Sequence, residues 1–251
     1  MRNVCLLLAA GLLPAWPAEP VFHIPPATTR LDFQGQPLQV AVSGTIWPVG
    51  DALHANLFAD LTDLQRNLTA VLAVQLNQSN RCGERLAVEH ATLAPAAPSG
   101  MVTAAVHFEK WGCAKAFGKE IVKKLAAGDG TVGVKLTPEA ADGKNAVRLA
   151  AEVTSIDAAG PAGDALRSGA MGDAVRQKIR ASLVAALEKS MDLKAALPAA
   201  VADLAAIRGA EFRDAGEGRL LLVVESEIHV PKEKAAALLE QLAEPDAHRS
   251  K

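Results

Sequence analysis

Tyrosine is missing altogether, and aromatic residues of every kind make up only 4% of a 251-residue chain that is half hydrophobic. A core drawn from such a sequence must be built largely of Ala, Val and Leu in close contact. The formal net charge is -2, which removes any bulk electrostatic reason to expect nucleic acid as a partner. Beyond the N-terminus, no segment approaches the run of about 20 apolar residues that a membrane-spanning helix needs. Catalytic motifs are missing too: there is no G-x-S-x-G elbow, no H-E-x-x-H pair and no S-x-x-K with its companions. His54, His90, His107 and His229 are scattered over strand-like segments without metal-ligand spacing, and Glu225 with Glu227 reads as a solubilising pair on an outer strand face. The glycines between residues 158 and 172 lack the Lys-Ser/Thr end of a phosphate loop and read as turns. No catalytic residue, metal ligand or cofactor is therefore assigned.

Cysteine is scarce, at three residues, and its placement is informative. Residues 1–18 carry one positive end, a short apolar run containing Cys5, and a Pro- and Ala-containing exit, which is the pattern of a secretory signal. Export leaves Cys82 and Cys113 in an oxidising compartment, periplasmic or secreted, and predicts a disulfide between them; free thiols or metal ligands are the rival reading, the latter disfavoured by the lack of C-x-x-C spacing or clustered histidines. Arg85–Leu93 and Met101–Trp111 flank a turn-like Pro- and Gly-containing segment and read as a hairpin. Pairing Leu86 with Phe108, Val88 with Val106, Thr92 with Val102 and Arg85 with Glu109 segregates its two faces. In that register His107 and Ala87 take the polar face and His90 the apolar one. The cysteines fall one residue out of step, which predicts a bulge near Gly83 or Gly112.

The remaining chain reads as hairpins and helices. Residues 19–28 are an extended lead-in to a single domain over 29–243, and 244–251 form a polar tail. Thr29–Gln34 and Pro37–Ile46 make a hairpin around Gly35, and Ala52–Leu61 alternates as a further strand. Thr62-Asp-Leu-Gln65 matches a capping box and opens a helix over Asp63–Gln75, although Ala70–Leu76 also fits a strand. Ala114–Ala126 places Phe117, Ile121 and Leu125 on one helical row and Lys115, Lys119 and Lys123 on another. That lysine row is a solvated face or a contact with a membrane surface or anionic headgroup. Gly128–Gly130 ends this element, and a hairpin of Thr131–Thr137 with Asn145–Ile156 follows.

Beyond the glycines comes the longest periodic stretch. Val175, Ile179, Leu183, Leu187 and Met191 recur every four residues, predicting an amphipathic helix that fades near Asp192 or Leu197. Ala199–Ile207 suggests a shorter helix. Ala206–Arg213 pairs with Arg219–Val230 across Asp214–Gly218, and Lys232–Leu242 reads as a final helix. The fold class expected is α+β, with a long curved antiparallel sheet of hairpins packed around a long amphipathic helix and additional shorter helices.

Long-stranded hairpins, a disulfide, and an amphipathic helix followed by a glycine turn and the strand from Gly218 through Leu222 and Val224 to Val230 resemble a tubular lipid-binding (TULIP-like) domain. That superfamily includes the bactericidal permeability-increasing and synaptotagmin-like mitochondrial lipid-binding proteins. The resemblance covers Thr29–Leu242 and implies a curved sheet wrapped around a helix, an apolar groove for lipid and no catalysis. Val175, Ile179, Leu183, Leu187, Leu222 and Val224 are the expected groove lining. The functional expectation is an exported carrier of a lipid or other apolar small molecule. The alternative is a non-catalytic structural or interaction module of the cell envelope with a solid core, since the same apolar lining describes ordinary packing.

Overall fold

The structure is a computed structural model, and it describes residues 22–33, 35–49, 52–77, 82–116, 119–141, 146–158, 169–187, 189–192 and 205–229. The expected signal segment, final helix and tail lie outside these residues. In chain order the elements are β1 (Phe22–Phe33), β2 (Gln36–Val49), β3 (Ala52–Asp60), α1 (Thr62–Leu76), β4 (Gly83–Ala96), β5 (Ser99–Ala116) and β6 (Lys119–Ala140). They continue with β7 (Ala146–Ala158), α2 (Gly169–Leu187), β8 (Lys189–Asp192), β9 (Ala205–Asp214) and β10 (Leu220–Ile228).

Two five-stranded antiparallel sheets result, one ordered β1-β2-β3-β10-β9 and the other β4-β5-β6-β7-β8. This overturns the expected α+β architecture. The described residues are mostly β, and among them no long amphipathic helix runs along a single curved sheet. The helix over 169–187 stops before the sequence pattern does: Lys189–Asp192 pairs with Ala146–Leu149 as an edge strand, so the backbone at Met191 belongs to a sheet. α2 packs on β7 and α1, whereas α1 is the helix in contact with β10.

The first hairpin, β3 and the β9–β10 hairpin follow the alternation read from the sequence. On the inner face of the first sheet, Leu38, Val40 and Ile46 of β2 join Ala55 and Leu57 of β3, Leu220, Leu222, Val224 and Ile228 of β10, and Phe212 of β9. The second sheet contributes Val88, Leu93, Val102, Ala104, Val106, Val132, Val134, Leu136, Val147 and Leu149 to the same contiguous core, with the apolar stripes of both helices. Each fully buried Val or Leu contributes on the order of 1.5–3 kcal/mol. The short side chains thus achieve by number what aromatics would supply by size.

α1 forms where a helix was expected, but for a different local reason. Leu61 is its N-cap, with no side-chain cap hydrogen bond. The Thr62 hydroxyl and amide donate to Asp60 Oδ1 at 2.5 and 2.8 Å. Gln65 does not turn back to Thr62 as a capping box requires. Its Nε2 donates to the carbonyls of Leu93 and Gly218 at 2.8 and 2.9 Å, and its Oε1 accepts from the Leu220 amide at 2.9 Å. One helical turn later Thr69 Oγ1 accepts from the Ala91 amide at 2.9 Å, and at the C-cap Asn77 Oδ1 accepts from the Val88 amide at 2.8 Å. Residues 65 and 69 are one turn apart on the helix, and Asn77 caps its C-terminal end. Through these three side chains α1 and its C-cap satisfy backbone groups on the outer edge of β4, an edge that would otherwise template pairing with another chain.

The β4–β5 hairpin has the expected register only as far as Val88–Val106; a bulge then leaves Glu89 unpaired, and Leu93 rather than Thr92 faces Val102. That extra residue turns His90 outward, contrary to the apolar position inferred for it. The Cys82–Cys113 disulfide is present, with Cα atoms 5.7 Å apart. Gly83 beside it adopts φ +94°, a left-handed conformation that lets the chain leave the strand toward Cys113. The bulges themselves lie elsewhere, at Glu89 and at Leu125 opposite Lys110 and Trp111.

The expected helix over Ala114–Ala126 is absent. Residues 112–116 extend β5, and residues from 119 onward return as β6. Gly128–Gly130 does not end an element but continues β6 opposite Phe108, His107 and Val106. Gly130 has a steric reason to be glycine, since a Cβ there would sit 2.8 Å from the Asp157 carbonyl. Ala205–Ile207, expected to end a helix, begins β9.

Candidate functional site

The apolar side chains singled out from the sequence divide between two places. Leu222 and Val224 are 2% exposed in the middle of the first sheet's inner face, and Leu183 and Leu187 are 0% and 1% exposed on the buried side of α2. They belong to one packed core, but α2 is applied to β7 and α1 instead of lying along β10. Val175 lies in α2 by its backbone, and its side chain is outside the described residues. Ile179 is different: it is buried at the boundary between this core and an open cleft.

That cleft has a volume of about 410 Å³ and lies where α2, the C-terminal turn of α1 and the start of β4 meet. Its apolar surface comes from Leu76, Leu86, Phe108 and Ile179, with small Ala185 and Ala186 on the α2 wall. Its polar groups are Gln75, Glu84, Arg85, Lys178 and Ser182, and the disulfide half Cys82 borders it. The helical spacing of Lys178, Ser182 and Ala185 brings these residues to one side of α2. Glu84 is hydrogen-bonded by Lys110, which holds its carboxyl below the usual carboxylate range, with Lys178 adding to the effect. The acid is thereby answered by Lys110, and Lys178 is the cation that α2 brings to the cleft, since the Arg85 guanidinium turns to the other face of the sheet, 3.6 Å from Glu109.

Arg85 also connects the cleft to a polar array on the outer face of the second sheet. Its guanidinium lies 4.5 Å from the Trp111 ring centroid, and Lys124 Nζ lies 5.2 Å from it. Such contacts contribute about 0.5–1 kcal/mol each at exposed sites. Trp111 Nε1 donates to Glu109 Oε2 at 2.7 Å, and Lys124 donates to Glu109 Oε1. These two hydrogen bonds, the lysine first, push the Glu109 carboxyl down to about 2. His107 Nδ1 shares a proton with Asp129 Oδ1 at 2.6 Å, and Glu109 Oε1 is 3.6 Å from its Nε2. Asp129 first, and then Glu109, raise the imidazole above its ordinary value.

Donor atoms of Glu89, His107 and Asp129 lie within 4.8 Å of one another, but the imidazole and Asp129 already satisfy each other. The second such grouping, Cys82, Cys113 and Glu120, offers no thiolate because its sulfurs are bonded together. His54 lies near Trp47, ring centroids 6.2 Å apart, and His229 pairs with Glu227 at 3.0 Å. Among the described residues, these contacts place no nucleophile beside an imidazole base.

The lysine row expected on a helix is divided by the strand pairing. Lys115 pairs with Glu120, and Lys123 pairs with Gly112 on the opposite face of the same ribbon; position 119 lies in β6, and its side chain is not described. Sequence reasoning missed Arg85, Lys178 and Phe108 as neighbours around one cleft. Their only common signal was charge or bulk in three separate elements. Comparison with known proteins finds no matching family model, no matching curated protein and no matching solved structure.

Proposed function

We propose that this is an exported binding protein that carries a small amphipathic ligand, an acyl chain ending in an anionic group, in the cleft beside α2. The observation that carries the reading is the lining itself: Leu76, Leu86, Phe108 and Ile179 beside Lys178, in about 410 Å³. That volume falls in the range of small-molecule sites, and each methylene buried in such a place contributes about 0.8 kcal/mol. Lys178 supplies the anionic end with a charge-assisted hydrogen bond. The ligand is thus placed on the Lys178 side of α2, away from the packed stripe of Leu183 and Leu187. The disulfide supports an oxidising compartment, with the periplasm or the extracellular space as the destination that the N-terminal pattern suggests. The resemblance to tubular lipid-binding domains supplies only the expectation of an apolar ligand.

Native mass spectrometry of the gently purified mature protein should find a bound amphiphile, which Ala185→Trp, filling the α2 wall, removes. A protein that is empty in every preparation and takes up no fluorescent fatty acid would leave the envelope interaction module as the function, a reading favoured by the depth of the shared core.

A further inference from the structure

The two longest strands extend beyond the sheet that holds them. Pairing of β4 with β5 stops at Gly83–Trp111, and pairing of β6 with β7 starts at Gly130–Ala158. Residues 112–116 and 119–123 therefore form a two-stranded arm that no third described strand flanks. Cys113 ties the base of this arm to Cys82 at the border of the cleft.

The composition of the arm is unlike the rest of the protein. Between 112 and 127 it carries Lys115, Lys119, Lys123 and Lys124 against the single acid Glu120, in a chain whose overall charge is -2. Ile121 is 53% exposed and Leu125 61%, two of only four large aliphatic side chains described as exposed. Both occupy the same ribbon face. Ile121 pairs with Ala114, and Leu125 leans over Gly112, so the facing strand has no side chain large enough to cover either. Lys123 shares that face, while Lys115 and Lys124 lie on the other.

We infer that the β5–β6 arm is a docking element for an anionic lipid bilayer, in which Ile121 and Leu125 enter the headgroup boundary while Lys123 on the same face reaches a lipid phosphate. Charge complementarity selects this occupant: the arm is a local cation on a net anion, and a negatively charged bilayer attracts the one while the long lysine stems allow the aliphatics to be buried. Docking there would bring the border of the cleft close to the surface from which an amphiphile is exchanged. The exchange rests on the proposed function; the docking does not.

The test is sedimentation of the full mature protein with vesicles of phosphatidylcholine alone and with about 30% phosphatidylglycerol, an anionic content that sets up the surface potential the lysines sense. Binding is expected only to the anionic vesicles and should be lost at about 1 M salt, where screening acts within about 3 Å. Lys123→Gln should weaken partitioning by about fivefold. Ile121→Ser with Leu125→Ser should weaken it at least tenfold. Both variants remove exposed side chains and should keep the wild-type unfolding temperature and the intact disulfide. Ala185→Trp should still bind vesicles, which separates failure of docking from failure of the cleft reading. Absence of sedimentation with anionic vesicles, equal binding to neutral ones, or folded variants that bind like wild type would overturn the proposal. So would capture of an acidic polypeptide without any vesicle binding.

Discussion

Gln65 joins three segments of the chain, α1, β4 and β10, through one side-chain amide that holds the carbonyls of Leu93 and Gly218 and the amide of Leu220. Truncation to Ala leaves these three groups without their partner, and at about 1 kcal/mol for each lost bond the expected destabilisation is about 2–4 kcal/mol. Urea unfolding measures it; a change below about 0.5 kcal/mol, the scatter of ordinary surface substitutions, would show that water replaces the amide at no cost. On the outer face, His107 and Glu109 give pH dependence in opposite senses. The raised imidazole contributes stability that is complete below its unfolded pKa and is lost as pH rises through its higher folded value. Asp129→Asn should therefore destabilise the protein at acid pH, and the difference from wild type should close above neutrality. The depressed Glu109 carboxyl contributes stability present above its unfolded pKa and lost as pH falls toward about 2. Lys124→Met should thus reduce stability at neutral pH and have little effect once that carboxyl is protonated. An unchanged difference across either range would separate these pairs from the pH dependence.

At the level of elements, the sequence was most legible where alternation was strict and turns were marked. The alternating apolar residues and Gly35 placed the first hairpin, and the glycines at 216 and 218, with φ +96° and +73°, placed the last. A four-residue repeat was ambiguous for a geometric reason. Residues four apart are offset by only about 40° on a helix and share one face of a strand outright. Phe117, Ile121 and Leu125 therefore satisfied both patterns, and the contest was decided by pairing with residues 112–116, which no local reading contains. The capping box likewise found α1 through a glutamine whose actual partners are 28 and 153–155 residues away. The disulfide was visible because two cysteines bracketed a hairpin whose register could be estimated; the bulge at Glu89 was invisible because either register buried apolar residues. Closing a loop between cysteines 31 residues apart, the bridge should contribute about 2–4 kcal/mol. Cys82→Ser with Cys113→Ser should lower the unfolding midpoint accordingly. Hydrogen exchange should quicken first at the base of the β5–β6 arm, and uniform acceleration over both sheets would contradict this local role.

Across the whole molecule, one core joins both sheets and both helices, and the residues that pattern alone selected for a groove are part of it. Leu183, Leu187, Leu222 and Val224 could not be told from a lining by sequence, because a packed interior and an apolar pocket recruit the same side chains. The cleft departs from that pattern by combining Glu84 and Lys178 with Phe108 and Ile179, drawn from β4, α2 and β5. Its chemistry became visible only when the three elements met. The most direct measurement is a fatty-acid titration of the mature protein followed by NMR. Saturable shifts should gather on Leu76, Leu86, Phe108, Lys178 and Ile179 while Leu222 and Val224 stay unmoved. Absence of saturable shifts, or their concentration on the inner face of β10, would contradict an amphiphile site beside α2.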